Sequence, residues 1–143
     1  MSKLLPGIVG GSGRDFYWLA CLLFTSVAAA DEAEKLFELR VAPVLSAKCV
    51  ACHQAGNAKC GFDLSTRDGV LRGGDGGEGL APGKPNDSPI FTRSIPHDGR
   101  KPEMPEKGEP LTEQEAANLR EWIERGAIWP KHLVLREKSK ADS

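Results

Sequence analysis

The sequence predicts a small all-α domain, with three or four short helices joined by long ordered loops. Three observations carry that reading. The stretch Thr112-Glu113-Gln114-Glu115 is a capping box, and apolar residues follow it at helical spacing. No run of alternating polar and apolar residues competes as a strand. Glycine and proline punctuate the chain at Gly73–Gly79 and Pro102–Pro110, and loops that long in so short a chain usually wrap something.

Residues 1–30 read as an export signal. Lys3 and Arg14 give a weakly positive start, Phe16–Ala30 is largely apolar and uncharged, and Ala28-Ala29-Ala30 offers a small-residue cleavage site. The apolar run is short for a membrane span, which needs about 20 residues. Cleavage after Ala30 is expected, discarding Cys21 and leaving no membrane span; an uncleaved N-terminal anchor is the alternative.

The domain is expected over residues 31–130. Asp31 to about Ala42 reads as a helix, with acidic residues in its first turn that complement the helix dipole and Leu36, Phe37 and Leu39 as its apolar side. Pro43 is expected to end or kink it, because proline lacks the amide hydrogen and clashes with the preceding turn. Val44–Lys48 is then a short turn, and Ala55–Gly61 a loop. Ser65 or Thr66 caps a brief helix through Leu71 that Gly73-Gly74 ends. Asp87 or Ser88 precedes Pro89 at a first helical position; Ile90, Phe91 and Ile95 face inward, and Pro96 closes the element. After the capping box come Ala116, Leu119, Trp122 and Ile123, and Gly126 stops the run. Residues 131–143 hold one short apolar run, Leu133–Leu135, within an otherwise polar, loose tail.

Composition excludes several functions. The formal net charge is −1, and basic residues alternate with acidic ones, so no clustered basic face exists for nucleic acid. Aromatic residues make up 6% of the chain, too few for a single-strand stacking platform. The glycine-rich stretch fails as a phosphate loop, because Lys84 is followed by Pro85 rather than Ser or Thr.

The chemistry concentrates in Cys49-Val50-Ala51-Cys52-His53. C-x-x-C-H is an attachment signature for c-type haem. Its two thiols can each add across a haem vinyl group, and the histidine next to the second falls under the iron. A thioredoxin-like dithiol would need a preceding strand and a βαβ context, which is not readable here. A zinc site could draw on Cys49, Cys52, Cys60 and a histidine, but His97 and His132 lie far downstream and apart. With the leader gone, Met104 is the only methionine, isolated in the loop Lys101–Gly108 just before the last helix. It is the candidate second axial ligand; His97 is the competitor, and core filling the plainer use of a methionine. Cys60 reads as a buried small residue, with an intermolecular disulfide as the sharper alternative. Trp122 and Trp129 read as core or cofactor-wall packing. Arg93, Arg100 and Lys101 are solvated charges before they are partners for haem propionates.

The order of the segments RVAPVLSAKCVACH, GFDLSTRDGVLRGG, PGKPNDSPIFTRSI and KPEMPEKGEPLTEQEAANLREWIERGAIWP resembles the planctomycete-type cytochrome c domain, a branch of the class I cytochrome c fold. The likeness runs from about Phe37 to Pro130. It implies one covalent haem c, thioethers at Cys49 and Cys52, proximal ligation by His53 and distal ligation by Met104. It also implies that the first and last helices pack together beside the haem. Two departures stand out: Glu106 replaces the second of two prolines that often follow the methionine, and Cys60 occupies a position commonly held by glycine or another small residue.

These readings converge on an exported, periplasmic or cell-envelope monohaem electron carrier, not an enzyme, that exchanges electrons with donor and acceptor proteins. A haem enzyme or sensor with a labile distal ligand, binding peroxide or a small gas, is the first alternative, and a zinc-binding structural module the second. Family members are often the front end of larger exported proteins; the short stretch after the last helix here favours a free carrier.

Overall fold

A helix through residues 30–48 (α1) delivers the chain to the cysteine motif. The computed structural model describes residues 30–138; residues 1–29 of the expected leader, with Cys21, and residues 139–143 lie outside it. Pro43 neither ends α1 nor leaves Val44–Lys48 as a turn. The hydrogen bonding widens to a π-type register over Phe37–Val41, where the Ala42 amide donates to the Phe37 carbonyl, and α-helical bonding resumes over Ala42–Lys48. Pro43 therefore falls in the first turn of the resumed segment, where an amide hydrogen has no required partner.

Cys49 and Val50 close α1 by donating to the Leu45 carbonyl, and the motif then turns through bonds from Cys52 and His53 to the Cys49 carbonyl. The expected loop after it contains a minimal antiparallel ribbon, β1 (His53–Gln54) with β2 (Asn57–Ala58), followed by a single 3-10 turn at Lys59–Gly61. Four paired residues are too few to leave a strand pattern in the sequence.

Thr66 caps α2 (Arg67–Arg72) by accepting from the Gly69 amide, and Gly73 ends it in a left-handed conformation, φ 74°. The third helix, α3 (Pro89–Thr92), starts at Pro89 as expected but stops four residues before Pro96. Ser88 does not cap it through its side chain. Its hydroxyl donates to the Lys84 carbonyl at 2.8 Å and accepts from the Ala81 amide at 3.0 Å, pinning the loop before the helix. Ile90 and Phe91 are buried and Ile95 packs partly against them.

The last helix, α4 (Glu113–Glu124), carries the full capping box: Thr112 accepts from the Glu115 amide, and the Glu115 carboxylate accepts from the Thr112 amide. It buries Leu119, Trp122 and Ile123. Trp122 meets Phe37 of α1 with ring centroids 5.1 Å apart, Trp129 meets Phe37 at 4.2 Å, and the two indoles lie 6.2 Å from each other. Both indole N–H groups are satisfied, by the carbonyls of Ile128 and Leu133. Trp122 and Trp129 are thus core residues that join the first and last helices.

Residues 131–138 are not a loose tail. Leu135 is buried, its amide donates to the Ser65 carbonyl at 2.8 Å, and the Lys138 amide donates to the Ser46 carbonyl at 3.2 Å. Among the described residues no helix is long and apolar enough to cross a membrane.

Candidate cofactor site

Between the motif and the loop ahead of α4 lies a cavity of about 340 Å³. Cofactor pockets run from roughly 300 to 1,000 Å³. Cys49, Cys52, His53 and Met104 all line it, though 51 positions separate the histidine from the methionine in sequence. The end of α1 sets the two cysteines, the first turn of the ribbon sets His53, and the proline-bounded loop brings Met104 across.

Each donor is held by the backbone around it. His53 Nδ1 lies 3.2 Å from the Phe62 carbonyl, which can only accept, so the bond is donated by Nδ1–H and Nε2 is the nitrogen that a neutral ring offers to a metal. That is the arrangement by which an outer partner orients a metal-binding imidazole. The Phe62 ring stands edge-on to the imidazole, centroids 5.6 Å apart. The Met104 amide donates to the Arg93 carbonyl at 2.8 Å, which hangs the methionine loop from the end of α3. Burial pushes the Cys49 thiol up to about 11, with the neighbouring Lys48 charge acting the other way.

Glycine builds one wall. A side chain at Gly79 would collide with the Phe62 ring, and one at Gly74 with the Cys60 carbonyl, so the 73–79 run lies tight against the segment that follows the motif. The Asp75 amide also donates to the Cys60 carbonyl at 2.8 Å. The glycine-rich loop is packed structure on this side.

Cys60 is exposed, not buried, and lines the cavity mouth. It sits at φ 54° and ψ 30°, the left-handed region in which glycine is favoured and which explains why a glycine suits this position. Its neighbour Lys59 reaches across to Glu106, Nζ to Oε2 3.2 Å, a pairing with no signature in the sequence. The Phe62 carbonyl is the other contributor that sequence reasoning missed, since a backbone acceptor leaves no residue-type signal.

The competitors fall elsewhere. His97 is exposed, its Nε2 bonded to the Thr92 carbonyl at 2.8 Å, and does not line the cavity. His132 stands beside Glu38 on α1. Arg93 lines the cavity, whereas Arg100 and Lys101 do not. Among the described residues no three His, Cys, Asp or Glu side chains gather to hold a metal ion, so the set weighed for zinc is not assembled.

The donor chemistry fits a c-type haem: two thiols three residues apart, one imidazole with a free nitrogen and one thioether share a single cavity. Residues 49–108, from the first cysteine to just past the methionine loop, match the family model of planctomycete cytochrome C. Neither the curated proteins nor the solved structures yield a match. Over those residues the resemblance read from the sequence is therefore shown. The match suggests a cytochrome c-type domain within a helical chain that has few strand residues.

Proposed function

We propose that this chain is an exported one-electron carrier that holds a single haem c. The observation carrying the reading is that the C-x-x-C-H residues and Met104 line one cavity. Cys49 and Cys52 would hold the group by thioethers, His53 would ligate iron on one side and Met104 on the other. When bound, the haem supplies reversible one-electron chemistry at iron.

The chain's own residues do the rest. The Phe62 carbonyl fixes the His53 tautomer, and the Arg93 carbonyl holds the Met104 backbone. Ile90 and Phe62 contribute apolar lining to the cavity. The Met104 sulfur is a soft ligand that favours ferrous iron, so the potential lies above that of a bis-histidine centre.

Absorption spectroscopy tests the reading. The chain expressed with the haem-attachment machinery should show a low-spin haem c spectrum with the weak far-red band of methionine-ligated ferric iron. Replacing Met104 with alanine should remove that band, and its persistence would eliminate Met104 as ligand. A high-spin ferric spectrum in the wild type would favour an open site for peroxide or a small gas. Absence of haem absorbance would exclude both readings.

A further inference from the structure

We propose that Lys59 and Glu106 form an ionic strap across the cavity mouth and act as positioning residues for Met104. The inference rests on the reading of Met104 as an iron ligand.

The strap begins at the motif itself. The Lys59 amide donates to the Cys52 carbonyl at 3.0 Å, so the Lys59 backbone is fastened to the second thiol-bearing residue. Its side chain then spans the mouth to Glu106, two residues beyond Met104, at 3.2 Å. One residue thus links the attachment side of the cavity to the methionine side. Both members line the cavity together with Met104.

Other ties leave this stretch of the loop to the strap. Upstream of the sulfur, the Met104 amide is held by the Arg93 carbonyl, and the Arg93 side chain lies 3.8 Å from Glu103. Downstream, Lys48 Nζ reaches the Pro110 carbonyl at 2.9 Å, six residues past Met104. Between those anchors, among the described residues, Lys59–Glu106 is the ion pair that reaches the loop. Both side chains are about half exposed or more, so their attraction is modest and screened by salt. A weak, salt-sensitive tie beside a ligand sets how readily that ligand gives way without being needed for the fold.

The test uses the ferric holoprotein and imidazole as an incoming ligand, followed through loss of the far-red band. At low salt, Glu106→Gln and Lys59→Gln should each bind imidazole roughly two- to fivefold more tightly than wild type. At about 1 M salt, where the screening length falls to roughly 3 Å, that difference should vanish. The double swap Lys59→Glu with Glu106→Lys should restore wild-type behaviour. Hydrogen exchange at residues 104–108 of the holoprotein should quicken in the single variants. Equal imidazole affinity in wild type and both single variants, with the far-red band present, overturns the strap and leaves the ligation reading standing. A wild type without that band overturns the ligation reading and the strap with it.

Discussion

At the scale of single residues, the site separates groups that must react from groups that only hold. In the proposed reading Cys49 belongs to the first kind, yet burial raises its thiol to about 11. The sign is that of an acid whose charged form is disfavoured: at pH 8 the thiolate is scarcer by roughly a hundredfold than for a thiol at the usual value near 9. In the chain prepared without haem, iodoacetamide at pH 8 should therefore modify exposed Cys60 well before Cys49. Cys49 modification should accelerate only as the pH climbs towards 11. Peptide mass mapping of timed samples checks this, and equal rates at the two cysteines would contradict the burial of Cys49. His53 belongs to the holding network as much as to the proposed ligands, since its useful nitrogen is defined by a bond made at the other one. The thiols, the imidazole and the methionine were legible in the sequence because residue type states their chemistry. The Phe62 carbonyl, the left-handed Cys60 and the Lys59–Glu106 pair were not, because backbone acceptors, dihedral angles and long-range ion pairs leave no local pattern.

At the scale of elements, legibility follows how local the stabilising interactions are. Helix α4 could be read almost residue by residue because its cap and apolar stripe lie within its own sequence. Helix α1 could not, because proline's effect depends on the register of the turn before it. A π-type turn moved the hydrogen bonding out of the ring's way. The two helices meet through Glu115, which closes the capping box and also accepts from Lys48, the residue before Cys49. Burial tends to raise the Glu115 carboxyl. The hydrogen bonds from Lys48 and the Thr112 backbone, with the Lys48 charge, outweigh it and hold the group below the usual carboxylate value. A carboxyl lowered in the folded state contributes stability above its unfolded pKa and loses it as the pH falls through the folded one. Glu115→Ala should accordingly cost about 1–2 kcal/mol at neutral pH, from the lost cap and ion pair. The gap from wild type should narrow as the pH drops below the usual carboxylate range. Denaturant titrations at pH 7 and at successively lower pH would show it, and a gap independent of pH would assign the effect to packing alone.

At the scale of the whole molecule, the site is assembled from pieces that touch the core at one remove. Phe37, Trp122 and Trp129 lock the first and last helices together, and the motif leaves directly from the end of that locked pair. The segment after the core closes the other end. Leu135 is buried in the same cluster, and its amide bonds to Ser65, whose own amide and hydroxyl bond to the Asp63 carboxylate. Leu64, between them, donates to the His53 carbonyl at 2.7 Å. A continuous run of backbone contacts therefore leads from residue 135 to the proposed proximal ligand, through a stretch whose polar sequence reads as a loose tail. Leu135→Ala should cost at least about 2 kcal/mol, the lower end for emptying a buried leucine site. For a domain of this size that lowers the melting temperature by roughly 10 °C. Deleting residues 131–143 should cost at least as much, since it removes the same side chain and the Ser65 and Ser46 hydrogen bonds together. Thermal melts followed in the far ultraviolet and in the haem absorbance would separate the two readings of this segment. A deletion that melts with the full chain would make it a tail, whereas a shared drop in both signals makes it part of the domain that holds His53.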